Sequence, residues 1–154
     1  MSELPEIRRA VAADAPAIVP MATELYQLES LEFDPTRAAT ALDTLLASPE
    51  VGFVLAAPDP AGGLAAYGIV TFGFDLEFGG RDAFLTELLV AETWRGRGLG
   101  QAMLEAIERE ARACGVHALH LLVRPDNPAA LNVYKARGFT AKAHVVLSKR
   151  LDRD

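Results

Sequence analysis

The chain is poor in cysteine and in long apolar runs. Each shortage excludes something. The lone Cys114 forms no intrachain disulfide and fits a reducing compartment. It lies late in a predicted helix, where it reads as a small buried apolar residue. No apolar run approaches the roughly 20 residues that cross a bilayer. The opening Met1-Ser2-Glu3-Leu4-Pro5 is not basic and leads into no apolar signal core. The expectation is a cytoplasmic protein with no membrane contact. Three histidines, His117, His120 and His144, lack ligand spacing to cysteine or carboxylates, so no metal is expected. Positive charge is also short. A net charge of −6 argues against a general nucleic-acid binder, whose affinity rests on Lys and Arg at phosphates.

What remains is ordinary globular composition over 154 residues, enough for a single domain with a real core. The charge is uneven. Between Glu24 and Glu50 the acids Glu24, Glu29, Glu32, Asp34, Asp43 and Glu50 face one base, Arg37. Between Arg95 and Arg137 bases predominate, with Arg95, Arg97, Arg109, Arg112, Arg124, Lys135 and Arg137. One half suits a cation and the other an anion, although solvated surface explains either charge set alone.

Glu6 to Val11 reads as a first strand. Asp14 before Ala15-Pro16 reads as an N-cap with an early-helix proline, opening a helix towards Leu31. Asp34-Pro35 repeats the signal and opens a second helix, closed at Ser48-Pro49. Val51 to Ala56 and Leu64 to about Glu77 are strands joined by the turn at Pro58 to Gly63. Asp75 and Glu77 then share one face of the second of them. Ala83 to Val90, apolar on both faces, reads as a central buried strand. A helix from about Gly98 to Ala113 carries Leu99, Met103, Ile107 and Ala111 on one stripe, and Gly115 ends it. Val116 to Val123 is a strand, Asn127-Pro128 caps a short helix ending near Gly138, and Phe139 to Leu151 supplies a last strand or hairpin. The expected fold class is α/β of the α+β kind. It has a central mixed sheet flanked by helices, in the order β-α-α-β-β-β-α-β-α-β.

The most informative segment joins the buried strand to its helix: Arg95-Gly96-Arg97-Gly98-Leu99-Gly100. Glycines at alternate positions let the backbone approach a ligand and take positive φ. The helix N-terminus adds unpaired N–H groups and partial positive charge, and the two arginines add full charges. Together they describe a pyrophosphate cradle. The spacing is not a Walker P-loop, since no Lys-Ser or Lys-Thr follows the last glycine. Nor is it the dinucleotide pattern Gly-x-Gly-x-x-Gly.

Residues Leu88 to Gly100 resemble the signature segment of the GNAT superfamily, the coenzyme A-dependent N-acetyltransferases. Its pattern of Arg or Gln, two residues, Gly, one residue, Gly or Ala is met by Arg95, Gly98 and Gly100. A second segment is similar too: Asn127-Pro128-Ala129-Ala130, Tyr134 and Gly138-Phe139. The resemblance covers the element order of nearly the whole chain; before about residue 50 and after about residue 140 it is by element type only. It implies acetyl-coenzyme A as co-substrate, with its pyrophosphate on the backbone of Arg97 to Gly100 and their neighbours. It implies that Leu88, Leu89 and Val90 pair with the pantetheine arm. A bulge there would aim an N–H at the thioester carbonyl, where negative charge develops. Asn127 would hydrogen-bond the coenzyme, cap its helix, or do both. A homodimer is a possible further implication, with the long terminal strand as a candidate interface.

Two residues are candidates for proton transfer. Tyr134 can protonate the departing thiolate, since phenol and thiol pKa values are near enough, roughly 10 against roughly 8.5. Otherwise it is a core tyrosine with its hydroxyl at the surface. Glu87, inside the apolar run Phe84 to Val90, is the candidate base, because burial raises a carboxylate pKa. Its alternative role is a salt bridge to a structural arginine. Glu29 and Glu32, beside Asp34, together with Asp75 and Glu77, are candidates for an acidic mouth that receives a cationic acceptor such as a polyamine or amino sugar. Phe78-Gly79-Gly80-Arg81-Asp82 either shapes the acceptor site or turns the chain. Acetylation of a protein lysine or N-terminus, and non-catalytic acetyl-coenzyme A binding, remain as alternatives.

Overall fold

The computed structural model describes residues 3–152. The chain divides into two compact units, Met1–Leu122 and Val123–Asp154. The first holds a five-stranded mixed sheet in the spatial order β1-β2-β3-β4-β5, formed by β1 (Arg8–Arg9), β2 (Gly52–Pro58), β3 (Leu64–Asp75), β4 (Gly80–Val90) and β5 (Ala118–Leu121). The first four strands pair antiparallel in succession, and β5 joins β4 in parallel. Three helices accompany it: α1 (Ala15–Leu28), α2 (Pro35–Leu46) and α3 (Leu99–Ala113).

The two sheet faces bury different helices. Tyr67 and Ile69 of β3 and Leu89 of β4 pack with Ile18 and Ala22 of α1 and Leu42 of α2. Gly68 points the other way, and a Cβ there would lie 3.0 Å from Ile107 of α3. Glycine at 68 is thus what lets α3 lie close on the sheet. Helix α3 buries Leu99, Met103, Leu104 and Ile107 almost completely, as its apolar stripe requires.

Several ends differ from the sequence reading. Asp14 does not cap α1 through its side chain. Its backbone already turns helically in a 3-10 turn, so its carboxylate reaches back to the Val11 N–H at 2.7 Å and to the Arg8 guanidinium at 2.8 and 3.1 Å. The Arg8 hydrogen bond holds the Asp14 carboxyl below the usual carboxylate range, against the opposing effect of burial. Helix α1 stops at Leu28 because Ser30 takes a positive φ of 55°, which lets Leu31 N–H close back on the Tyr26 carbonyl at 2.9 Å. Asp34, by contrast, caps α2, accepting from Thr36 and Arg37 N–H. Strand β3 ends at Asp75, whose carboxylate accepts the Glu77 N–H at 2.9 Å. Glu77 is therefore in the turn and does not share a strand face with Asp75.

The second unit contains α4 (Pro128–Ala136). Gly138, at φ 94°, ends it and lets Phe139 N–H return to the Tyr134 carbonyl at 3.1 Å. The expected terminal strand from Phe139 to Leu151 is not formed: these residues take neither helix nor strand. A strand exists only through a ladder with a neighbour, and no described strand pairs with them. Val145, Val146, Leu147 and Leu151 are exposed. Among the described residues no helix is long and apolar enough to cross a membrane.

Candidate active site

The site begins with a slip in the β3–β4 ladder. Leu85 pairs with Val70, but Glu87 pairs with Ile69, so Thr86 is one residue too many. This is a β-bulge, two residues earlier than the Leu88–Val90 region expected for it. The Thr86 hydroxyl compensates by bonding the Ile69 carbonyl at 3.2 Å. The consequence is a change of face. An unbroken ladder would set Glu87 opposite Gly68, on the α3 side. The bulge instead places it opposite Ile69, on the side of α1 and α2.

There Glu87 meets two phenols. Tyr67, fully buried on β3, donates to Oε1 at 2.8 Å, and Tyr26 near the end of α1 donates to Oε2 at 3.3 Å. Burial pushes the Glu87 carboxyl above its ordinary range, and the two phenols pull only part of the way back. Burial, then the facing carboxylate, raises both phenol pKa values in turn, so both stay protonated as donors. The arginine partner considered for Glu87 is absent among the described residues; the tyrosines take its place. Phe33, in the α1–α2 connection, stacks on Tyr26 with ring centroids 4.6 Å apart. The connection carrying Glu29 and Glu32 is thereby tied to Glu87 through Phe33 and Tyr26.

Sequence reasoning missed both tyrosines. A signal for Tyr67 was present: a tyrosine inside the apolar run Leu64 to Val70 needs a partner for its hydroxyl.

Beyond Leu85, β4 has no partner on its β5 side, because the parallel ladder ends at Leu85 and Leu121. Among the described residues no strand therefore pairs with Leu88 to Val90 on that side, where Arg95 takes the Val90 carbonyl and the rest of the edge suits an amide-bearing ligand arm. The strand then enters a short 3-10 turn at Glu92–Trp94 and the glycine turn. Gly96 and Gly98 have φ of 75° and 87°, which side-chain-bearing residues rarely adopt. Gly98 caps α3 with no side-chain hydrogen bond, so no cap side chain meets the first N–H groups of the helix. Gly100 sits in ordinary helical backbone, and a Cβ there would meet nothing nearer than Val90 at 3.9 Å. The protein's own packing thus does not require glycine at 100. Room for an outside group at the helix N-terminus does explain it, and a pyrophosphate fits this cradle.

The arginines divide the work. Arg95 is a strut: its Nε donates to the Val90 carbonyl at 2.9 Å and its terminal nitrogen meets Glu24 at 3.1 Å. Arg97 lies over the Trp94 ring at 4.8 Å. The Trp94 indole N–H in turn donates to Asp59 at 3.0 Å, tying the β2–β3 hairpin to the turn. Neither Trp94 nor Asp59 was legible as part of the site.

In the second unit, Asn127 accepts from the Ala130 N–H at 3.2 Å and so caps α4. Tyr134 lies about two turns further along α4, half-buried, edge-on to Phe139 at 5.8 Å. Among the described residues no group of His, Cys, Asp or Glu could hold a metal ion.

Comparison with known proteins agrees with this architecture. The model of the acetyltransferase (GNAT) family matches residues 21–139, and the chain belongs to that family. An acetyltransferase of Pectobacterium atrosepticum is 34% identical over 61 residues, 40% of this chain and 43% of that protein. An acetyltransferase of Yersinia enterocolitica is 31% identical over 87 residues, 56% of this chain and 59% of that protein. The chain thus spans about half the length of the curated relatives it matches. Among solved structures, an integron cassette protein from a Cole Harbour salt-marsh metagenome has a TM-score of 0.81 at 28% identity, covering 94% of this chain and 90% of that one. A possible acetyltransferase from Clostridium difficile has a TM-score of 0.82 at 18% identity, over 97% and 99% of the two chains, and shares the fold.

Proposed function

We propose that this acetyltransferase moves an acetyl group from acetyl-coenzyme A to the nitrogen of a small primary amine. The observation that carries this reading is Glu87: a partly buried carboxylate of raised pKa, turned by a bulge onto one sheet face, beside an unpaired strand edge that runs into a helix N-terminus with no side-chain cap. The first N–H groups of α3, from Leu99 onward, hold the pyrophosphate, and the edge of Leu88 to Val90 orients the arm. The bound thioester supplies the activated acetyl group. Glu87 accepts a proton from the incoming ammonium, directly or through one water, so that the nitrogen lone pair can attack the carbonyl carbon. As the new C–N bond forms and the C–S bond breaks, the leaving sulfur takes a proton from a general acid, a role for which Tyr134 is the candidate, and the nitrogen sheds its second proton to water, from which the acid is restored. Asn127 contributes to holding the coenzyme while capping α4.

The acids Glu29 and Glu32 on the α1–α2 connection, with Asp75 and Glu77 at the β3–β4 hairpin, favour approach of a cation at low salt. They act on encounter, not on the chemical step. The test is thiol release from acetyl-coenzyme A with an amine panel. Amine-dependent release that Glu87→Gln and Tyr134→Phe each reduce is expected. Coenzyme binding without any release would identify a binding module instead.

A further inference from the structure

Next to the bulge, a cavity of about 270 Å³ is lined by Thr71, Phe84, Leu85, Thr86 and Leu122. We propose that this cavity is the acceptor subsite and that it takes an arylalkylamine, a small primary amine with a flat apolar body, seated on Phe84. The proposal rests on the acetyl-transfer reading of Glu87.

Position supports it first. Phe84 pairs with Thr71 and Glu87 with Ile69, so the two side chains share a face two β3 residues apart, about 7 Å along the strand. That is the reach of a short alkyl link between an aryl ring on Phe84 and an amine at Glu87. Chemistry supports it next. No lining residue is ionisable. A polyamine would have to bury a second ammonium there without a carboxylate to meet it, at a high desolvation cost. The nearest buried acid, Asp82, is already engaged by His120 Nε2 at 3.0 Å. An aromatic body loses nothing on entering and gains ring contact.

Phe84 is also braced for this role. It is 40% exposed, yet its ring is held from one side by His120 at 5.1 Å, which Phe78 contacts in turn at 5.2 Å. The Asp82 bond fixes the imidazole. Gly73, opposite Asp82, supplies the space, since a Cβ there would fall 2.6 Å from the Asp82 carboxylate. Size is the last argument. At about 270 Å³ the cavity is just under the roughly 300–1,000 Å³ of drug-sized sites, which favours a single-ring amine over a bulky amino sugar.

The experiment compares 2-phenylethylamine, spermidine and glucosamine by thiol release, for the wild type, Phe84→Ala and Phe84→Tyr. In parallel it measures binding of 2-phenylethylamine to each protein without coenzyme. The expected result is a kcat/KM at least about tenfold higher for 2-phenylethylamine. Phe84→Ala should remove that advantage through KM, and Phe84→Tyr should restore most of it. Preference for spermidine or glucosamine, or an equal loss on all three amines in a folded Phe84→Ala, overturns the inference and leaves acetyl transfer standing. Phe84-dependent binding without turnover of any amine supports the cavity and removes the acetyl-transfer reading. No binding of 2-phenylethylamine together with no turnover of any amine removes both.

Discussion

The middle and the C-terminal end of β4 are built by different means. Its C-terminal end, with the turn and the start of α3, is built from backbone: an unpaired strand edge, two positive-φ glycines and N–H groups with no side-chain cap. Its middle is built from side chains: Glu87 between two tyrosines, and Phe84 braced by His120 and Asp82. Backbone groups recognise what is common to a coenzyme, its phosphates and amides. Side chains decide what differs between acceptors. On the proposed function, the donor region depends on a few glycines, whereas the acceptor region depends on register and packing.

The comparison can be broken at either end. The largest effect is expected at the side-chain end, where Glu87→Gln should lower kcat by about 10²- to 10⁴-fold while leaving coenzyme affinity near its wild-type value. Stopped-turnover and binding measurements on the same variant separate the two quantities. At the backbone end, Gly100→Ala should do the reverse. It should weaken acetyl-coenzyme A binding by roughly tenfold or more by crowding the cradle. The same change should raise stability by up to about 1 kcal/mol, because alanine favours helix and meets nothing closer than 3.9 Å. Calorimetric titration and thermal melts test the two signs together. A loss of both affinity and stability would mean that Gly100 serves the fold after all.

Away from both ends, Asp14→Asn should cost about 1–2 kcal/mol, a modest figure because Arg8 is partly exposed to solvent. Melting should fall by roughly 2–8 °C. The depressed Asp14 carboxyl contributes stability that is present above the unfolded carboxylate range and lost as pH falls through its folded value. The variant should therefore lose part of the acid sensitivity of the wild type. The smallest effect is expected for Trp94→Phe. Loss of the Asp59 bond loosens the turn that carries Arg97 and should raise KM for acetyl-coenzyme A by about three- to tenfold with kcat unchanged.

The glycine turn at the end of β4 was legible in the sequence. A requirement for positive φ at 96 and 98, or for space at 100, can be met by glycine, and glycine can be read directly. Helix α2 was legible through the Asp34-Pro35 cap, and α3 through its stripe and Gly115. The acceptor end was not. Glu87 was found as a buried acid, but its partners Tyr26 and Tyr67 are 61 and 20 residues away and meet it only because Thr86 is an extra residue in the ladder. A one-residue slip reverses the face of every side chain after it, and no composition or spacing announces it. Asp14 was read correctly as a helix-start acid but given the wrong partner, because its backbone was already turning. The strand or hairpin read from Phe139 to Leu151 has no ladder to join among the described strands.

The account stands most directly on the protonation of Glu87. Burial raises its pKa in the folded protein, so the neutral form is favoured to higher pH and this group stabilises the fold less as pH climbs through its folded value. As a base, Glu87 works only once that proton is gone. The decisive measurement is the pH dependence of kcat/KM on a good acceptor, for the wild type and for Glu87→Gln. The account predicts an ascending limb displaced above the ordinary glutamate range of about 4.3, and its disappearance in the variant. A limb that persists unchanged in Glu87→Gln would contradict it.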